Sequence, residues 1–155
     1  MAKILEGKPK GKGRKIGIVV SKFNDFITQR LLDGCLKELR RLGVPEKNII
    51  VARVPGSLEI PVVALQFARK KAIDAVICLG AVIRGETLHF DLVARGAAQG
   101  IAQVSLVSGK PVVFGVLATD TVDQARKRSD AKKDNKGRDA ATTALEMIDL
   151  MAQIR

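Results

Sequence analysis

Arg84, Glu86 and His89 place a cation, a carboxylate and the chain's one imidazole within six residues, in the run Gly80-Ala-Val-Ile-Arg-Gly-Glu-Thr-Leu-His-Phe-Asp91. The apolar run Ala75-Val76-Ile77-Cys78-Leu79 precedes it and reads as a buried strand. A helical pattern begins near Glu86. A strand that passes through a Gly-containing turn into a helix leaves backbone N–H groups unpaired at the helix start, and with the positive end of the helix dipole they favour an anion. The same dipole disfavours imidazolium in the first turn, so His89 is a candidate proton acceptor. The stretch therefore suggests an anion seat beside a base. It reads equally well as an ordinary strand-to-helix junction with a surface histidine.

The elements that must position these groups follow from periodicity. Residues 1–14, with Gly-Lys-Pro-Lys-Gly-Lys-Gly-Arg at 7–14, cannot pack a core and read as a flexible N-terminal arm. Residues 15–155 read as a single domain. Strands are expected at Lys15 to Val20, Asn48 to Val54, Asp74 to Leu79 and Val112 to Leu117. Helices are expected from Asp25 to Leu42, with Asn24 as N-cap and Gly43 as the stop, and from Leu58 to Lys71, with Pro61 tolerated in the first turn. Further helices run from near Glu86 to Ser108, from a Thr119-Asp120-Thr121 cap to Arg128, and from Gly137 to Ile154. Strands without alternation, separated by long helices, imply a parallel sheet covered on both faces. Right-handed crossovers then bring every strand-to-helix turn to one edge of that sheet. Phe23, Ser57-Leu58-Glu59 and Ala81 to His89 should converge there, although the sequence scatters them. Gly96, Ala97, Ala98 and Gly100 permit close helix approach, either inside the protomer or between subunits.

Composition excludes several classes. The chain is 46% hydrophobic and 28% charged, a globular balance. No apolar run suffices for a membrane span, and the N-terminus lacks a signal-peptide core. Cys35 and Cys78 read as reduced core residues of a cytoplasmic protein, and one histidine without a cysteine cluster argues against zinc. The net charge of +11 is concentrated: residues 1–22 carry seven Lys/Arg against one Glu, and residues 126–138 carry seven against two Asp. The remainder is neutral, so two local patches need explaining.

Five ordered blocks now carry a resemblance. Phe23-Asn24 after the first strand, Pro-Gly-Ser-Leu-Glu-Ile-Pro at 55–61, the 80–91 run, Phe-Gly-Val-Leu at 114–117, and Arg128 with Asn-Lys-Gly at 135–137 together resemble the 6,7-dimethyl-8-ribityllumazine synthase family. The resemblance implies a flavodoxin-like three-layer sandwich with a four-stranded parallel sheet. It implies condensation of 5-amino-6-(D-ribitylamino)uracil with 3,4-dihydroxy-2-butanone 4-phosphate, with loss of phosphate and water and no metal or organic cofactor. By matching position, Phe23 would stack on the pyrimidine; Ser57, Leu58, Glu59, Ala81, Val82 and Ile83 would hold the uracil edge and ribityl chain. Gly85, Glu86 and Thr87 would seat the phosphate, His89 would move protons, Arg128 would pair with the phosphate, and Lys136 would add a cation. Phe114 and the Arg128 region would come from a neighbouring copy in a homopentamer, with twelve pentamers forming a 60-subunit shell. Leu58 stands where many members carry an aromatic ring, and Asp130 and Asp134 where glycines are usual.

The chemistry suits these groups. Joining an amine to a ketone and expelling phosphate needs proton transfers and a place for a departing dianion; imidazole supplies the first, a helix start with arginine the second. Two rival expectations are a non-catalytic binder of flavins or ribityl compounds using the same cleft, and a shell protein that binds polyanions through its basic patches. The absence of Tyr and Trp weighs against stacking on nucleic-acid single strands.

Overall fold

A computed structural model describes all residues, 1–155. Four strands, β1 (Ile16–Ser21), β2 (Ile49–Val54), β3 (Ala75–Ile83) and β4 (Val112–Thr119), form one parallel sheet in the order β2-β1-β3-β4. Five helices connect or follow them: α1 (Asp25–Arg41), α2 (Ile60–Ala68), α3 (His89–Ser108), α4 (Val122–Lys127) and α5 (Lys136–Ile154). Short 3₁₀ turns at Glu46–Asn48 and Ser57–Glu59 lead into β2 and α2.

The pleat sorts side chains to two faces. Ile16, Ile18, Val20, Ile77 and Leu79 pack with Ile27, Leu31 and Leu39 of α1 and with Ala144 and Leu145 of α5. Val19, Val76, Cys78 and Val116 pack with Ile60 and Phe67 of α2 and with Ile101 and Val104 of α3. Both faces are covered over the central strands β1 and β3, which is why those two read as continuous apolar runs, whereas β2 at the edge stays largely exposed. Each fully buried Leu or Ile stabilises by about 1.5–3 kcal/mol, against about 0–1 kcal/mol for an exposed ion pair. The two apolar layers therefore dominate the energetics.

Several boundaries differ from the periodic reading. Strand β3 does not end at Leu79: Gly80 to Ile83 pair with Val116 to Thr119, so β3 and β4 prolong one another. Helix α3 starts at His89 instead of near Glu86, leaving residues 84–88 without regular structure. Helix α2 is shorter than expected, because Ser57–Glu59 form a 3₁₀ turn and the helix ends at Ala68. Asn24 occupies the N-cap position of α1 but adopts φ 62° and caps nothing; its amide serves another partner. Thr121, by contrast, makes a full capping box with Gln124.

Residues 1–15 contain no helix or strand, yet they are tied to the body. The Lys8 N–H donates to Asp149 at 2.8 Å, and the Gly11 N–H donates to the Leu42 carbonyl at 2.9 Å. Gly7 lies so close to the Glu146 and Leu150 backbone that a Cβ there would collide with it. Two of the small residues of α3 have a use within the protomer. A Cβ at Gly96 would meet Leu58 at 2.6 Å, and one at Gly100 would meet Pro61 at 2.6 Å, so α3 closes there on the Ser57–Glu59 turn and the start of α2.

Candidate functional site

Strand order reverses between β1 and β3: β2 lies outward from one, β4 outward from the other. In open parallel sheets such a switch point leaves a crevice beyond the carboxyl ends of the strands. A cleft of about 480 Å³ lies here. Phe23 and Asn24 enter it from the β1–α1 turn, and Pro55 to Glu59 from the β2–α2 turn. Ala81 to Ile83, at the end of β3, form a third wall, and Gly85, Thr87 and His89 close the mouth with Phe90 and Val93 of α3.

Local contacts fix these pieces. The Phe23 N–H donates to the Pro55 carbonyl at 3.1 Å, and the Lys22 N–H to the Val54 carbonyl at 2.8 Å, so the first turn is stitched to the end of β2. The Phe23 ring is 72% exposed at the rim, free to meet a planar ligand. Ser57 is buried, and its hydroxyl rests over Gly80, where a Cβ would come within 2.7 Å of it. Only glycine allows that approach, which puts one glycine of the 80–91 run to a structural use. Ser21 Oγ lies beside the same spot and is a buried side-chain oxygen with no hydrogen-bond partner. The Glu59 carboxylate folds back toward Gly56. Leu58, 47% exposed, presents its side chain between the cleft and Gly96.

His89 is the first residue of α3 and is exposed; its backbone N–H donates to Thr87 Oγ1 at 3.3 Å. Residues 85–88 precede it, all exposed, and the Leu88 carbonyl accepts from the Leu92 N–H at 3.3 Å. Arg84 is not free to serve a ligand directly. Its guanidinium meets Asp120 at 2.7 Å and Asp91 at 3.7 Å, and lies 4.4 Å from the centre of the Phe90 ring. The Asp120 hydrogen bond pushes the Arg84 pKa up from its ordinary value.

The structure does not bring every expected residue into the cleft. Glu86 is exposed beside it but does not line it. Arg128 lines an adjoining polar basin with Arg84, Phe90 and Asp120, where its guanidinium pairs with Asp134 at 2.6 Å. Phe114 and Lys136 line a third hollow of about 320 Å³ between β4 and α5. Phe114 faces Cys78, three rungs below the Ala81–Leu117 pair, hence about 10 Å down the strand from the cleft wall. Asn24, Pro55, Gly56, Phe90 and Val93 line the cleft as well, beyond the residues expected there. For Phe90 and Val93 a signal existed: they stand three apart, and Val93 stands four from His89, so the three share a helix face.

The loop after α4 has its own logic. Ser129 and Asn135 form an isolated antiparallel bridge, and the Lys136 N–H donates to the Arg128 carbonyl at 2.8 Å. Asp130 accepts from the Lys132 and Lys133 N–H groups at 2.8 and 3.1 Å, which holds its carboxyl below the usual range. Neither Asp130 nor Asp134 has a positive φ, so a Cβ costs nothing there. No group of three or more His, Cys, Asp or Glu side chains is arranged to hold a metal. No helix is long and apolar enough to cross a membrane.

Fold and site together define an α/β protein of the doubly wound class with a cleft at its topological switch point, edged by the exposed 85–88 segment and an imidazole. The chain belongs to the 6,7-dimethyl-8-ribityllumazine synthase family, whose profile matches residues 13–152. It is 54% identical over 154 residues to the 6,7-dimethyl-8-ribityllumazine synthase of Syntrophus aciditrophicus (strain SB), covering 99% of this chain and 100% of that one. It is 50% identical to the protein of the same name from Desulfatibacillum aliphaticivorans, over the whole of both chains. In structure it is similar to PH0766 from Pyrococcus horikoshii OT3, with TM-score 0.50 and 13% identity over 96% of this chain and 38% of that one; that likeness concerns the fold.

Proposed function

We propose that this chain catalyses the reaction its family is named for, in riboflavin biosynthesis: 5-amino-6-(D-ribitylamino)uracil and 3,4-dihydroxy-2-butanone 4-phosphate give 6,7-dimethyl-8-ribityllumazine, phosphate and water. The observation that carries this is the meeting of Phe23, Ala81 to Ile83, Gly85, Thr87 and His89 around one cleft. The Phe23 ring stacks on the pyrimidine. Ser57, Leu58 and Glu59, with Ala81, Val82 and Ile83, hold the uracil edge and the ribityl chain. Gly85, Glu86 and Thr87 receive the phosphate, and His89 carries protons between the amine, the ketone and solvent. Much of the rate comes from holding two reactants side by side.

Arg128, Phe114 and Lys136 complete a site in a neighbouring copy. Their position outside the cleft within one protomer supports that reading, as does exposed apolar surface at Leu88 and Leu92, 75% and 69% accessible. The assembly is a homopentamer, and twelve pentamers close into a 60-subunit shell. The location is the cytoplasm; two buried, unpaired thiols suit a reducing compartment.

Mixing both substrates with purified protein and following the coloured lumazine tests the activity. Tight ligand binding without product above the uncatalysed rate would overturn it in favour of a binder. Light scattering tests the assembly, and a stable lone pentamer would retire the shell.

A further inference from the structure

We infer that Arg84 is a positioning residue that holds both ends of the segment expected to seat phosphate, acting from outside the cleft. The inference rests on the reading of residues 85–87 given above. Three chain segments, the ends of β3 and β4 and the start of α3, meet at this one residue. The Arg84 N–H donates to the Thr119 carbonyl at 2.8 Å, continuing the β3–β4 ladder by one step. The guanidinium then reaches Asp120, just beyond β4, at 2.7 Å. It also reaches Asp91 in the first turn of α3 at 3.7 Å, and lies over the Phe90 ring at 4.4 Å. Residues 85–89 run between these two anchorages.

Within that segment little else holds the backbone. Residues 85–89 are all exposed, a Cβ at Gly85 would meet nothing within 4 Å, and the contact inside the segment is the His89 N–H to Thr87 Oγ1 at 3.3 Å. A short loop with loose ends must be ordered when a ligand binds, and that ordering subtracts from affinity. Pinning the ends removes part of the cost beforehand. Phe90 is the second half of the device: it lines both the apolar cleft and the polar basin, so the guanidinium braces from behind a wall that the ligand touches from in front. A planar guanidinium can stack on a ring and fork to two carboxylates at once, whereas an ammonium cannot.

The test uses the full-length protein and its Arg84→Ala, Arg84→Lys and Asp120→Asn variants in the two-substrate assay. Arg84→Ala is expected to raise the KM of the phosphorylated ketone, and the inhibition constant of inorganic phosphate, about tenfold. The KM of the pyrimidine should stay within about twofold, because Phe23 and the β2–α2 turn are untouched. Arg84→Lys should fall between, and Asp120→Asn should show a smaller change of the same kind. Amide hydrogen exchange at Gly85, Glu86 and Thr87 should quicken in Arg84→Ala without ligand, a readout that does not depend on turnover. Equal rises in both KM values, or unchanged phosphate inhibition and unchanged exchange, would overturn the inference. If the unaltered protein makes no lumazine at all, the proposed function fails, while the exchange experiment still tests whether Arg84 orders the loop.

Discussion

Asn24 donates from its side-chain amide to the main-chain carbonyl of Ala81 at 2.8 Å, joining the turn after β1 to the end of β3 across the switch point of the sheet. Asn24 is also the chain's one non-glycine residue with positive φ. That conformation and that bond set where Phe23 stands. Asn24→Ala should lose about 1 kcal/mol from the bond and a similar amount from backbone strain, and should weaken pyrimidine binding about tenfold. Asn24→Gly removes the strain but not the loss of the tie. Calorimetric titration with the pyrimidine should find both variants weak and only the glycine one recovering Tm. Full affinity in Asn24→Gly would show that the tie does not position Phe23.

His89 has no side-chain partner that would make it a structural residue, and it stands at the cleft mouth. His89→Gln should lower kcat about 10²–10³-fold while leaving pyrimidine affinity within about twofold. Steady-state kinetics and ligand titration measure the two separately. Unchanged turnover would remove His89 from the proton-transfer role.

Arg128 is paired with Asp134 in the protomer, so a phosphate must compete with a carboxylate for it. Arg128→Ala should raise the KM of the phosphorylated ketone about 10–100-fold. Asp134→Asn should lower it about two- to threefold, since an exposed pair is worth little. Changes confined to the pyrimidine would contradict the assignment.

Gly137 sits where α5 crosses α1. A Cβ there would lie 2.7 Å from the Leu31 carbonyl carbon and closer still to its oxygen. Backbone cannot swing aside as a side-chain end can, so Gly137→Ala should cost about 3 kcal/mol and lower Tm by roughly 10 °C. Gly96→Ala meets only the flexible end of Leu58 and should cost less. Thermal denaturation of the pair decides; equal Tm values would refute the close crossing.

Glu38 contributes to the acid limb of stability. Its carboxylate takes two hydrogen bonds from Arg41, at 2.6 and 3.0 Å, which pull its pKa below the ordinary value despite partial burial. A depressed folded pKa means stability that is complete above the unfolded value of about 4.3 and is lost as pH falls through the folded one. Glu38→Gln should therefore lower Tm by about 3 °C at pH 7 and by progressively less below pH 4. A gap that stays constant down to pH 2 would show that the ion pair is not its source.

Much of this was readable from local pattern. The buried strands Ile16 to Val20 and Ala75 to Leu79, the α1 stripe of Leu31, Cys35 and Leu39, and the helix ends at Gly43 and Gly109 all depend on a few neighbouring residues, and the fold class follows from their order. Even the convergence of Phe23, Ser57 and His89 follows, because crossover handedness puts every β-to-α turn at one edge. Other features depend on groups far apart in the chain. Strand β3 outruns its apolar signal at Gly80 because β4 lies alongside to pair with it. Asn24 forgoes capping because Ala81, 57 positions away, offers a carbonyl. Arg84 turns from the cleft it adjoins because Asp120 and Phe90 lie behind it, and Arg128 finds Asp134 because a small bridge folds that loop back. Hydrophobic periodicity is a one-dimensional record of which face is buried. The choice of partner for a polar side chain is settled by three-dimensional distance, which no spacing along the chain records.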